Sequence, residues 1–565
     1  MFIDPITLSI LKELDEVTNF KGMLIRANEL LVDDNYVNPN NINGMSIKGY
    51  ERMAGMMYNE LVKSVKEHEN RSFFSKSKIN VNPYILINKI NEDSTTVLVD
   101  DLNPISAMKQ SEDVTYLGSG GRSKDAMSRD TRSMHSSEIG VISEASKDSG
   151  DVGISAYMSA NPKLSTTRGT IGKFDIKEDG WSSVLSTSAL LAPFALTDDV
   201  KRLNFSNIQS SHVIPIKNMR APYVRTGYEA IVPIRSDSKF VIIAEEEGTV
   251  EKVSKTEIIV NYKTLGKKKY KIKDWTSKEE SGACYTHTMV PNLKTGDKFI
   301  KDDTLVYDSM FFEPDIFNKN RVIYKQGDVI TVALMEDSQT HEDSAAISKK
   351  MAKHLGTNVT KVKSIIVSKD DNILNIKSAG TKIEPNDVLF TVTDNILMSK
   401  ELDQRTIEIL QDLKSSSPKA KLKGVINKIE IRYNCEIDEL SDSLKEIVVN
   451  SDKELIEKTG YTGRVNSSYS INGKSLLKDS VEIKVYIDVT DNMGIGDKAI
   501  FANQLKFTVG EVFNYDMSAE DGTEIDALFS SRSIAARIVN SPSLIGTTSM
   551  LLEKITDNVV NMYFK

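Results

Sequence analysis

The chain is poor in cysteine: Cys284 and Cys435 are the only two in 565 residues. Two thiols so far apart build neither a zinc cage nor a disulfide framework, and they suit a reducing compartment. Long apolar runs are also missing. The longest, around Ala189 to Leu196, falls far short of the ~20 residues needed to span a bilayer. The first residues, Met1-Phe2-Ile3-Asp4-Pro5, carry no basic segment and no apolar core, so no signal peptide is expected. Positive charge is not in excess either. The net charge is −8, so any nucleic-acid contact would need basic residues gathered on one face. No internal repeat is present.

What remains is an ordinary globular composition, 27% charged and 39% apolar, in a chain too long for one core. Residues 1–50 look helical and become loop-like at Asn38-Pro39-Asn40-Asn41. Residues 51–68 read as an amphipathic helix with Met53, Met57, Leu61 and Val65 on one face. Residues 111–170 are rich in Ser, Gly and Asp and would by themselves be read as a long loop. Strand patterns begin near residue 213. Phe240–Ile243 and Glu257–Val260 flank a turn at Glu247-Gly248, and further glycine turns follow at 266 and 296. Residues 343–355 predict a helix capped by Asp343 or Ser344, with Ile347, Met351 and Leu355 on one face. Residues 360–480 mix strands with a helix near 400–413 and a break at 415–418. Strict alternation over 481–489 predicts a strand with one buried face, and residues 544–563 predict a helix.

Three short segments carry chemistry. Gly496-Asp497-Lys498 places a lysine on a tight turn after the alternating strand, and Lys506 follows eight residues on. A lysine on a turn is ordinarily a solvated surface charge. Two together can grip a polyanion, because ammonium groups act as point charges on phosphate. Arg537 lies eleven residues after Asp526. By itself it reads as a plain helix-surface residue. Glu342-Asp343 reads first as a pair favouring a helix start. The runs Lys267-Lys268-Lys269 and Lys419–Lys423 read as solvated faces, and His341, with no partner histidine at ligand spacing, as structural.

Taken in order, these segments resemble the β subunit of multisubunit RNA polymerases. Val485-Tyr486-Ile487 leading to Gly496-Asp497-Lys498 is similar to the family's V-Y-L…P-G-D-K, and Lys506 falls at its second active-centre lysine. The family's G-R-H-G-N-K-G is replaced by Phe501-Ala502-Asn503-Gln504-Leu505-Lys506-Phe507, so its glycine turns are lost. Ile525-Asp526…Arg537-Ile538 resembles V-D…R-M, and Glu342-Asp343-Ser344 resembles the end of N-F-E-D-S. Asn103-Pro104-Ile105-Ser106 through Gly120-Gly121 resembles N-P-L-S…L-G-P-G-G, and Arg132-Ser133-Met134-His135 resembles R-D-V-H. Arg220 to Glu229 is similar to K-P-L-V-G-T-G-M-E.

The resemblance implies a mixed α/β, β-rich multidomain fold: a double-psi β-barrel with barrel-sandwich hybrid hairpins and an inserted flap-like domain. It divides the chain into a helical segment at 1–50 and a fork-loop and rifamycin-pocket region at 51–212. A hybrid-binding and first barrel part follows at 213–345, a flap-like insertion at 346–480, and a second barrel part with the closing helix at 481–565. It implies that Lys498 and Lys506 hold the RNA end and nucleotide phosphates, and that Arg537 and Arg202 bind the triphosphate. Glu342 and Asp343 would act near a magnesium ion through water, not as direct ligands. Gly120, Gly121, Lys124, Arg132 and His135 would line the fork loop beside the RNA–DNA hybrid. Gln110, Asp113 and Thr115 replace the family's His, Arg and Ser, which implies resistance to rifampicin.

The family's amino-terminal lobe and its carboxy-terminal clamp segment have no counterpart, nor does the β′ signature N-A-D-F-D-G-D. The chain thus resembles the carboxy-terminal β fragment of the split polymerases of giant (phiKZ-like) bacteriophages. The implied partners are an amino-terminal β fragment, β′-like subunits holding the catalytic Mg2+, template DNA, RNA, nucleotides and a promoter-specificity subunit, with no membrane. The implied setting is the cytoplasm of an infected bacterium, or the virion. Two rivals stand beside this reading. One is a scaffold or virion protein that kept the fold and lost catalysis. The other is an RNA-dependent polymerase, which would carry its own D-x-D-G-D.

Overall fold

The computed structural model describes residues 3–33, 47, 49–72, 79–118, 121–134, 136–165, 169–279, 282–393, 418–466, 468–471 and 474–564. It mixes helices with several mostly antiparallel sheets, and none of the sheets closes on itself among these residues. The loop expected at Asn38–Asn41 and the helix expected at 400–413 lie outside the described residues, as do residues 415–417 of the break.

The predicted strand at 481–489 runs Ser480–Asp491. Val481, Ile483, Val485, Ile487 and Val489 are buried, as the alternation requires. It pairs along its length with Thr357–Ser368 on one side and Gly424–Tyr433 on the other. Its buried face packs with Leu444 and Val448 of the Asp442–Thr459 helix. That helix was not expected. Its ends carry ordinary signals: Ser441 Oγ accepts from the Leu444 amide, and Gly460 is left-handed at φ 80°.

Three expectations are corrected. Residues 344–348 are a strand, not the first turn of a helix; the helix is short, Lys349–His354, and Ser348 caps it. Ala345, Ala346 and Ile347 are buried between two neighbours, parallel to Leu505–Phe513 and antiparallel to Ala527–Phe529. Ladder bonds on both edges override the helical spacing. Second, Gly248 opens a strand, Gly248–Val253, that pairs with Glu257–Tyr262, whereas Val241–Ile243 joins a different sheet through Thr304–Asp308. Third, the helix expected at 51–68 runs Gly49–Ser72, but Met53, Met57, Leu61 and Val65 are each at least 40% exposed. The side it buries holds Glu60 and Ser64 instead.

The described residues between 111 and 165 are not merely loop. A three-stranded sheet joins Asp113–Thr115, Ser155–Met158 and Ile142–Ser146, with single 3-10 turns between. The lysines of Gly266–Lys271 lie on a solvated strand face paired to acids: Lys267 to Glu251, Lys268 to Glu245 and Lys269 to Glu257. His341 is exposed, and its carbonyl accepts from the Ser344 amide at 3.1 Å. No described helix is long and apolar enough to cross a membrane.

Candidate functional site

The site is built on one β-hairpin. Strand Lys498–Phe501 pairs antiparallel with Leu505–Phe513, placing Lys498 opposite Thr508 and Ile500 opposite Lys506. Directly opposed residues share a face, and alternate residues along a strand share it too. Lys498 and Lys506 therefore point the same way, as diagonal neighbours about 7–8 Å apart at their roots. The other face carries Leu505, Phe507 and Val509, all buried against Ala345, Ile347 and Phe529. Stacking of Phe501 on Phe507 at 4.2 Å fixes the hairpin to that core. Each such side chain contributes roughly 2–3 kcal/mol by burial, enough to hold the lysines in place.

The turn before the hairpin needs glycine. Gly496 sits at φ 91°, its amide donates to the Val509 carbonyl at 2.9 Å, and Asp497 accepts from the Gly494 amide at 2.8 Å. At the hairpin tip the lost glycines have a different solution. Ala502 (φ 48°) and Asn503 (φ 68°) take the left-handed conformation themselves. Buried Gln504 anchors the tip through Asp198 and through Ser541 Oγ at 3.0 Å.

Beside the lysines lies an arginine–aspartate pair. The Arg537 guanidinium donates to both Asp343 carboxylate oxygens, at 2.5 and 2.6 Å, and to the Ser533 carbonyl at 3.0 Å. Asp343 is joined to the hairpin because its carbonyl accepts from the Thr508 amide at 2.8 Å, and Thr508 faces Lys498. Glu342, left-handed at φ 52°, accepts from the Ser533 hydroxyl through its carbonyl, and its residue is exposed. Arg202 stands in the first turn of the Val200–Ser211 helix. Burial and the charge of nearby Arg537 lower its pKa, while Asp343 and Asp199 oppose the shift. Arg537, Asp343 and Arg202 thus form one charged group, and Asp343 ties it through Thr508 to the hairpin that carries Lys498 and Lys506. Lys498 and Lys506 are exposed, and their ammonium groups form no hydrogen bond or ion pair with a described residue.

The fork-loop residues form a second group. The Gly121 amide donates to the Gly118 carbonyl at 3.0 Å, and a Cβ on Gly121 would fall 2.3 Å from the Tyr116 carbonyl oxygen. Lys124 pairs with Asp151 at 2.8 Å, and Arg132 donates to Met127 and Gly150 carbonyls. Both side chains tie this loop to residues 150–151. Gly120 and His135 lie outside the described residues. Gln110 is held by the Leu98 carbonyl at 2.6 Å and the Asp100 amide at 2.7 Å, and Asp113 by Lys147.

Sequence reasoning passed over Lys109 and His212. Burial drops the Lys109 pKa to about 8, with Lys147 adding repulsion. No pattern marks either residue, since their setting comes from helices and loops far apart in sequence.

No cluster of three or more His, Cys, Asp or Glu able to hold a metal occurs among the described residues. Asp343 is already bound in both oxygens by Arg537. These residues do not make a magnesium cage by themselves.

Comparison with known proteins adds a family context. A family model described as bacteriophage RNA polymerase matches residues 1–124. This stretch takes in residues 1–50, which none of the quoted motifs reaches. The β subunit of DNA-directed RNA polymerase of Euglena longa is 23% identical over 577 residues, covering 85% of this chain and 50% of that protein. The corresponding subunit of Mycoplasma genitalium is 21% identical over 566 residues, 86% of this chain and 38% of its own length. That of a Caulobacter species is 35% identical over 86 residues, 15% of this chain. The likeness is to polymerase β subunits. It runs through most of the chain, which spans half or less of the length of these relatives.

Proposed function

We propose that this chain is the carboxy-terminal portion of the β subunit of a phage-type multisubunit DNA-directed RNA polymerase. The observation that carries the reading is the pair of exposed, unpaired lysines, Lys498 and Lys506, on one hairpin face beside Arg537, Asp343 and Arg202. β-subunit likeness over most of the chain and a phage polymerase model over residues 1–124 support it. In fold terms the sheet that mixes parallel and antiparallel pairs under the lysines belongs to a double-psi barrel. The strands of 241–308 then form the barrel-sandwich hairpins, and the region around the Asp442–Thr459 helix the flap.

The reaction joins an RNA 3′-oxygen to the α-phosphorus of a nucleotide and releases pyrophosphate. Catalysis of phosphoryl transfer is mainly positioning and charge neutralisation. Lys498 and Lys506 hold the RNA end and the α-phosphate. Arg537 and Arg202 neutralise the β- and γ-phosphates, and Asp343 keeps the Arg537 fork oriented until the triphosphate arrives. Glu342 and Asp343 act on the surroundings through water or through these cations. The magnesium expected for such chemistry belongs to a β′-like partner, and no step of this chain runs through it. An amino-terminal β fragment, template DNA, RNA and a promoter-specificity subunit complete the proposed assembly, in the cytoplasm of an infected bacterium.

Affinity purification of the tagged chain from infected cells, followed by mass spectrometry, tests the reading. Stoichiometric recovery of a partner with a D-x-D-G-D motif and of an amino-terminal β fragment is expected. Recovery with capsid proteins alone would overturn it in favour of a scaffold.

A further inference from the structure

We propose that His212 is an additional phosphate-binding residue of this centre, standing beside Lys506 and gripping the nucleic-acid backbone in its protonated form. The inference rests on the polymerase reading above. The Val200–Ser211 helix carries Arg202 in its first turn and His212 as its carboxy-terminal cap. A helix rises 1.5 Å per residue, so the two cationic side chains mark out about 15 Å of the site's edge.

The root of His212 is fixed. Its amide donates to the Gln209 carbonyl at 3.0 Å. Asn103, fully buried, donates from Nδ2 to the carbonyls of Ser211 and Val213, both at 2.9 Å, clamping the chain on either side. The residue itself is exposed, and its ring has no hydrogen-bond or ion-pair partner among the described residues. Four charged groups lie close enough for their charge to act on it: Lys109 from the Pro104–Ser111 helix, Lys506 from the hairpin, Asp100 from the segment before that helix, and Asp148 from the loop after Ile142–Ser146. Lys109 is held close by the Asn207 carbonyl and Ser211 Oγ, both at 3.3 Å.

Burial, then Lys109 and Lys506, push the imidazole below its usual range. A phosphodiester arriving at Lys506 replaces that repulsion by attraction and raises the pKa again. Binding therefore takes up a proton. It is tightest below the free-state pKa and weakens as pH rises through the bound-state pKa. A shift of one unit is a tenfold change in affinity.

The test uses the assembled polymerase with a fluorescent RNA–DNA scaffold as probe, from about pH 5 to about pH 7, a range in which Lys109, with its pKa at about 8, keeps its charge. Scaffold dissociation constants and single-nucleotide addition are measured for wild type, His212→Gln and His212→Lys. The wild-type dissociation constant should rise roughly tenfold across the range. His212→Gln should remove most of that rise, and His212→Lys should keep low-pH affinity at high pH. A wild-type pH slope in His212→Gln, or no gain at high pH in His212→Lys, overturns the proposal. Lys506→Ala serves as the control. If it abolishes addition while the His212 variants keep the slope, only the His212 assignment fails. Wild-type addition in Lys506→Ala sinks the underlying polymerase reading as well.

Discussion

At the scale of the residue, Lys506 is exposed, unpaired and rooted in a strand whose other face is core. Removing its ammonium costs the fold little and the proposed chemistry much. Lys506→Ala should assemble with its partners normally yet lose at least a hundredfold in nucleotide addition, of order ~3 kcal/mol of transition-state stabilisation. Elongation at the wild-type rate would refute the role given to it. The Arg537–Asp343 pair is a smaller matter for stability: Asp343's side chain is about half exposed, so solvent screening leaves roughly 1 kcal/mol or less. Asp113 also carries an expectation. It puts a carboxylate where the β family has a pocket arginine, and Lys147 holds it there. The assembled enzyme should transcribe at rifampicin concentrations that stop the host polymerase, and inhibition at those concentrations would count against the pocket assignment.

Individual elements show how local strain and buried polarity are balanced. The hairpin tip holds Ala502 left-handed, where a Cβ costs ~1 kcal/mol or more. Part of this returns when glycine frees the unfolded chain. Ala502→Gly is thus expected to stabilise by about 0.5 kcal/mol without altering addition kinetics, read as a small rise in thermal midpoint. A clear fall would mean that the methyl group packs usefully. A different balance operates around His287. Its ring is wholly buried, stacked 3.8 Å from Trp275, and joins Asp308 at 2.7 Å to Ser277 Oγ at 2.9 Å. These three residues come from strands of two different sheets. His287→Ala would leave the Asp308 carboxylate buried with little beyond the Met310 amide. A loss of about 3 kcal/mol is expected, seen as a lowered denaturation midpoint, and an unchanged midpoint would show the network to be dispensable.

Across the whole molecule, much apolar surface stays open. The Ser541–Tyr563 helix exposes Met550, Leu551, Ile555 and Val559, and the Gly49–Ser72 helix exposes its methionine stripe. A helix apolar on several sides is normally covered. The purified chain alone is expected to show no nucleotide addition, since the described residues include no metal-holding cluster. Addition by the single chain with magnesium, nucleotides and a scaffold would contradict the division of labour proposed here.

The sequence by itself determined the elements whose signals are local. Alternation over 481–489 became the central strand because one face of that strand is core. Gly496 marked a turn because only a left-handed backbone closes it. Capping signals at Ser441 and Gly460 are equally local, but the apolar spacing between them is too weak to announce the helix they bound. The two lysines, eight residues apart, were legible as a pair, but not as sharing a face; the antiparallel register of the hairpin decided that. Tertiary structure alone made residues 344–348 a strand, because hydrogen-bonding neighbours on both edges come from beyond residue 500. It alone brought Arg537 onto Asp343 across 194 residues, and His212 beside Lys109 and Lys506. Local patterns fix what a segment prefers to be; long-range pairing fixes which face it turns and which charges it meets.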